Sequence, residues 1–324
     1  MPHALNNPRS IEPHFLRNAL DVLIIGTGPA SLSAALTLGR ARRSVAFFYS
    51  DEHSRPARSD LDADGGKRTA SVQTDMVAEL KTNFKTVLFT NTAAKSVRES
   101  GMIFEVVDRT GQCWKGRKII LATGCHKSLL EIPGYKDLWG TKIFDCFQYS
   151  GPITSNANSA AVLITSDDED SIDSAILSTH LARQYTPDIT LLVNGLQHLV
   201  QHPQVISIAS RGIKVVSKAI ERFSESSPDS VSVEFTDGTK VPYGFVSHKP
   251  RSDVKGSFAR ELDLEMTPQG RVLVEGDFQE TSIRGVFAAG RCATVVGDEA
   301  MEISSGMAVG LGANLQIAED DASS

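Results

Sequence analysis

The stretch DVLIIGTGPASLSAALTLGRARRSVAFFY, residues 21–49, decides the fold. Residues 21–25 are a compact apolar run that meets Gly26-Thr27-Gly28-Pro29-Ala30-Ser31. An alanine- and leucine-rich stretch follows, and then SVAFFY. Strand, glycine turn, helix and strand in that order open a doubly wound α/β domain. Gly26 permits the tight turn, Gly28 lets the backbone approach a diphosphate, and the helix beginning near Pro29 points its positive end there. Ser31 stands where a third glycine is usual and is small enough to be tolerated.

Outward from this unit, residues 51–71 are polar and glycine-bearing and read as a loop, and SVQTDMVAELKTNF reads as a helix. β-like runs between 86 and 121 lead to KIILATG, an apolar strand ending in a glycine turn. EIPGYKDLWG, 131–140, carries proline and glycine where a domain crossing is expected. AAVLIT, SIDSAILSTHLARQY and DITLLVNG then repeat the strand-helix-strand order, so a second α/β unit is expected. SVEFTDGTKVPY reads as a hairpin turning at Asp237-Gly238. RGVFAAGRCA is a strand entering a glycine turn, and MEISSGMAVGLGANLQIA is a small-residue helix. The tail EDDASS reads as unordered.

A chain of 324 residues, 41% hydrophobic, supports two domains of ordinary size. A net charge of −6 offers no polycationic surface for nucleic acid or anionic lipid, and a small molecule is the expected partner. The N-terminus lacks the apolar core of a signal peptide, and no run approaches the roughly 20 apolar residues of a membrane span, so a cytoplasmic location is expected. Cys113, Cys125, Cys146 and Cys292 form neither a CxxC pair nor a zinc pattern; no metal site is expected, and all four read as buried thiols outside any disulfide.

IIGTGPAS, LATG at 121–124, IPG at 132–134, GVFAAG at 285–290 and ISSGMAVGLGAN at 303–314 occur in one order along nearly the whole chain. In that order the chain resembles the low-molecular-weight thioredoxin reductase-like members of the class-II pyridine nucleotide-disulfide oxidoreductase family. The nearest likeness is to fungal dithiol oxidases of gliotoxin type, which serve secondary-metabolite pathways. The resemblance implies a two-domain, Rossmann-like α/β fold in which an FAD-binding domain, residues 15–130 and 247–324, is interrupted by a smaller nucleotide-binding domain, residues 131–246. It also implies a homodimer, and a flavin held around Gly26, Gly28, Pro29, Ala30, Ser31 and Gly290.

Several stations depart from the family pattern. The residue that matches the ribose-binding acid is Tyr49, with Asp51 and Glu52 just beyond as candidate substitutes. Arg291 replaces the aspartate that meets the ribityl chain; a guanidinium cannot accept that bond but can pair with a diphosphate. After AAVLIT, where a nicotinamide-binding turn presents glycines, the chain has Ser166-Asp167-Asp168-Glu169-Asp170, whose carboxylates repel a diphosphate. NADPH is therefore not expected to bind in the usual way. In FDCFQYSG, 144–151, Cys146 matches the first cysteine of the family's redox pair, Tyr149 replaces the second and Ser150 replaces a following histidine. A single thiol cannot run dithiol-disulfide turnover.

Three readings stand. The first is an FAD-linked, oxygen-using oxidase of a small metabolite. The second is a non-redox cyclase, isomerase or dehydratase in a vacated flavin pocket, with acid-base work by Asp145, Tyr149 or His126 beside Cys146. The third is a non-catalytic partner protein. His180, His198, His202 and His248 are assigned to helix or loop contexts without a role.

Overall fold

The computed structural model describes residues 19–49, 65–145, 157–294 and 298–323, for residues 65–71 the backbone only. These divide into two compact units. The first holds the described residues up to 126, except 65–67, and those from 253 onward; the second holds 65–67 and those from 127 to 252.

The first unit begins with β1 (Leu20–Gly26), α1 (Pro29–Arg40) and β2 (Val45–Phe48). There follow α2 (Gly65–Asn83), β3 (Val87–Phe89), β4 (Ala94–Ser100), β5 (Ile103–Asp108) and β6 (Cys113–Ala122). The sheet order is β3-β2-β1-β6-β5-β4. The pairs of β1 with β2 and β6 are parallel, while β4, β5 and the start of β6 form an antiparallel meander. β1 lies inside the sheet with both faces covered, which is why VLII shows no alternation. Full burial of each such side chain is worth on the order of 2 kcal/mol. α2 begins at Gly65, inside the stretch expected to be a loop: Lys67, Arg68 and Ala70 are good helix formers, and glycine is tolerated at a helix start.

The second unit holds β7 (Ile143–Phe144), β8 (Ala160–Leu163), α3 (Glu169–Ala182), β9 (Ile189–Leu192), α4 (Pro203–Ser210) and β10 (Lys214–Val216). β11 (Ile220–Ser227), β12 (Ser230–Phe235), β13 (Lys240–Tyr243) and β14 (Phe245–His248) follow. One parallel sheet runs β10-β9-β8-β14-β7, and β11-β12-β13 form a separate antiparallel meander. Gly238, at φ +80°, turns the β12–β13 hairpin as expected. The strand order reverses between β8 and β14, so their carboxyl ends form the crevice in which such sheets place ligands.

The chain then completes the first unit with β15 (Val286–Ala288), which pairs with the later half of β6, and α5 (Glu299–Ala322). α1 is buried almost all round because the sheet covers one side and α5 the other. A Cβ at Gly310 would lie 2.9 Å from Thr37 Cβ, so the small residues of α5 mark close helix packing. The tail expected to be unordered is helical through Ala322. Asp320 is 3% exposed and accepts from Lys118 Nζ at 2.7 Å and Arg284 Nη2 at 3.0 Å, which fixes this end of α5 to the sheet. Among the described residues no helix is long and apolar enough to cross a membrane.

Candidate cofactor-binding site

Gly26 ends β1 at φ +155°, and a Cβ there would fall 2.2 Å from the carbonyl oxygen of Ala122 on β6. Only glycine allows the turn to leave the sheet so tightly. Gly28 is the extended N-cap of α1 and offers no side-chain cap; Pro29, with no N–H, is the first helical residue. The first backbone bond of the helix is Leu32 N to Gly28 O at 3.2 Å. Ser31 is fully buried and its hydroxyl donates to Gly28 O at 2.7 Å, so the substitution at the third glycine position is absorbed inside the turn. Among the described residues, the one atom within 4 Å of a notional Gly28 Cβ is Glu302 Oε2, at 3.9 Å.

The second glycine turn closes on the same place. Gly290 has φ +68°, and a Cβ there would touch Ala30 Cβ at 2.9 Å. Its N–H donates to Ser305 Oγ at 2.9 Å, and that hydroxyl donates to Gln279 Oε1 at 2.7 Å. Arg291 Nε lies 2.8 Å from Glu302 Oε1. Gly26, Gly28, Pro29, Ala30, Ser31 and Gly290 therefore form one cradle, bordered by a guanidinium and a carboxylate. The space at Gly28 and the uncapped start of α1 fit the diphosphate of FAD, with the N–H groups of Ala30 and Ser31 and the Arg291 guanidinium to hold it. Tyr49 adds no ribose acceptor: it is 6% exposed and stacks in the core, 5.4 Å from Phe47 and 5.7 Å from Phe89.

The corresponding turn of the second unit is built differently. Asp168 caps α3, accepting from Ser171 N at 2.9 Å, Ser171 Oγ at 2.8 Å and Ser166 Oγ at 2.5 Å. The Ser166 hydroxyl leads the hydrogen bonds that hold this carboxyl below its usual range. Asp167 Oδ2 stands 3.2 Å from His198 Nε2, and Glu169 Oε1 3.7 Å from His202 Nε2. The mouth of α3 is lined by carboxylates of the chain itself.

Behind it lies a buried polar chain. His248 ends β14, contrary to its expected helix or loop setting. It is 3% exposed, with Nδ1 2.6 Å from Tyr135 Oη and Nε2 3.0 Å from Thr165 Oγ1. Burial pushes its pKa down to about 4, against an opposing pull from Asp145. Burial, helped by Asp145, pushes the Tyr135 phenol up. This ring pair escaped the sequence reading because Tyr135 and His248 are 113 residues apart and no motif joins them.

Of the acid-base candidates, His126 is exposed at the end of the first unit, while Asp145, in the second, is paired with Lys127 Nζ at 2.5 Å. Cys146, Tyr149 and Asp51 lie outside the described residues. Cys125 and Cys292 are buried as expected, whereas Cys113 is exposed at the first residue of β6. The Cys125 thiol donates to Arg291 O at 2.9 Å and accepts from Arg271 Nη1 at 2.8 Å. Cys292 donates to Ala289 O at 3.1 Å, and burial raises its thiol to about 11. Glu302 was missed; its place four residues before Gly306 in a small-residue helix was the available signal.

A family model for pyridine nucleotide-disulphide oxidoreductases matches residues 20–164. The chain is 33% identical over 313 residues to thioredoxin reductase sirT of Leptosphaeria maculans, covering 91% of this chain and 94% of that protein. It is 31% identical over 314 residues to thioredoxin reductase tcpT of Claviceps purpurea, covering 94% and 96%. The crystal structure of HlmI superposes with a TM-score of 0.79 at 24% identity, covering 94% of both chains. A putative thioredoxin reductase of Bacillus anthracis gives 0.79 at 21% identity, covering 93% of this chain and 99% of that one.

Proposed function

The chain belongs to the pyridine nucleotide-disulphide oxidoreductase family, among its thioredoxin reductase-like members, and on that footing we propose an FAD-linked, NADPH-independent oxidation of a small secondary metabolite without dithiol-disulfide exchange. One contrast carries this reading. The turn at α1 keeps Gly28, with Glu302 Oε2 at 3.9 Å from a notional Cβ there, whereas the matching turn at α3 carries Asp168 as its N-cap, flanked by Asp167 and Glu169. One turn keeps the glycines a diphosphate needs, and the other sets carboxylates at its helix mouth.

Bound flavin supplies a two-electron acceptor. The substrate loses two electrons and two protons, and molecular oxygen takes them up to give hydrogen peroxide. Gly26 and Gly28 would shape the diphosphate cradle, Ala30 and Ser31 would offer backbone N–H groups to the diphosphate, and Arg291 would supply the positive charge. A homodimer is part of the proposal. Met307, Leu311 and Leu315 recur at four-residue intervals on the exposed face of α5, and a second copy covering them would remove that apolar surface from water.

The test begins with the absorbance spectrum of the purified protein, in which flavin bands are expected. Anaerobic NADPH should leave those bands unbleached, and chemically reduced protein should regain them in air with release of peroxide. Rapid bleaching by NADPH would overturn the cofactor independence. A colourless protein that takes up no added FAD would overturn the flavin reading itself.

A further inference from the structure

The carboxylate of Glu302 borders the place where an anionic ligand of the α1 turn belongs. Its Oε2 is 3.9 Å from a notional Gly28 Cβ and 4.0 Å from a notional Gly290 Cβ, so it stands between the two glycine turns of the cradle. Three features favour a negative charge there. Glu302 lies in the first turn of α5, it faces the uncapped start of α1, and its Oε1 is 2.8 Å from Arg291 Nε. The side chain is 14% exposed, so its charge is only partly screened by water.

A diphosphate brought into this cradle meets a carboxylate already using the same helix end and the same guanidinium. Like charges at this separation repel, and one guanidinium cannot serve both anions fully. We propose that Glu302 is a built-in competitor for the diphosphate of FAD, and that Arg291 passes from Glu302 to the diphosphate when the cofactor binds. This rests on the flavin reading above and adds the residue that sets how tightly this chain holds its cofactor. Arg291, where the family has an acid, is on this account the partner that Glu302 requires.

Glu302→Gln isolates the charge, because the amide oxygen still accepts from Arg291 Nε. Protein stripped of cofactor is titrated with FAD, following quenching of flavin fluorescence, with folding checked by circular dichroism. Glu302→Gln should bind FAD about tenfold more tightly than the native chain, and Arg291→Gln about tenfold more weakly. Glu302→Ala, made in parallel, keeps the test open if the glutamine variant does not fold. If the native chain binds FAD and neither Glu302 variant binds it more tightly, the competitor is refuted and the flavin reading stands. If only the Glu302 variants bind, the competitor stands and the flavin reading of the native chain falls. If folded native and variant proteins all fail to bind, both fall.

Discussion

Gly306 on α5 and Ala30 on α1 meet backbone to backbone: a Cβ on Gly306 would lie 2.0 Å from the Ala30 carbonyl oxygen and 2.9 Å from its Cα. Ala30 belongs to the turn proposed to hold the diphosphate, so this contact sets α5, and with it Glu302, against the cradle. The opposing atoms are main chain inside a helix and cannot rotate away.

Gly306→Ala should therefore cost about 3 kcal/mol, the upper part of the usual range for overpacking. Gly310→Ala meets Thr37 Cβ at 2.9 Å and the Ala34 carbonyl oxygen at 3.2 Å, a milder approach than that at Gly306 although neither atom can rotate away, and should cost about 2 kcal/mol. Urea midpoints of the two variants check the ranking. Equal losses would show that α5 can slide along α1.

The His248–Tyr135 pair makes stability depend on pH. The folded imidazole titrates at about 4, below the ordinary 6.5, so the unfolded chain binds a proton first as the medium is acidified. The contribution is complete above pH 6.5 and is lost as pH falls from there through about 4. Between pH 7 and pH 5 the loss should be about 2 kcal/mol. Unfolding midpoints measured across that interval, in the native chain and in His248→Gln, should differ in slope; identical slopes would remove His248 as the cause.

The end of α5 gives a third expectation. Lys118 is 5% exposed, and burial lowers its pKa even though Asp320 holds it by a hydrogen bond. Asp320→Ala would leave two cations, Lys118 and Arg284, facing one another around a buried gap, at a cost of about 3–5 kcal/mol. Ending the chain after Glu319 should destabilise it comparably, whereas Glu319→Ala, at an exposed site, should change stability by less than about 0.5 kcal/mol. Thermal unfolding of the three variants decides whether this terminus is structural.

The turn at Gly26 and Gly28 could be read from local chemistry, because strand, glycines and helix lie in consecutive residues and each has one physical reason to be there. The same holds for the hairpin at Asp237-Gly238 and for the acidic start of α3. What could not be read was set by partners distant in sequence. EDDASS looks like a solvated tail until Lys118 and Arg284 are brought to Asp320. His248 looks idle until β14 is placed beside β8 and Tyr135. Arg291 looked like a lost acceptor, and its meaning changes once Glu302 is seen beside it.

The acidic turn at α3 permits a last separation of structure from exclusion. As an N-cap, Asp168 is worth about 1 kcal/mol, and asparagine caps nearly as well, so Asp168→Ala should lower stability by that amount while Asp168→Asn should not. Neither change should admit NADPH, because Asp167, Glu169 and Asp170 keep their charge at the helix mouth and no glycine is gained there. Thermal midpoints read the capping, and a fluorescence titration with NADPH reads the exclusion. Saturable binding of NADPH at micromolar concentration by the native chain would mean that the carboxylates do not close this crevice, and the oxygen-dependent turnover proposed for the flavin would lose its main support.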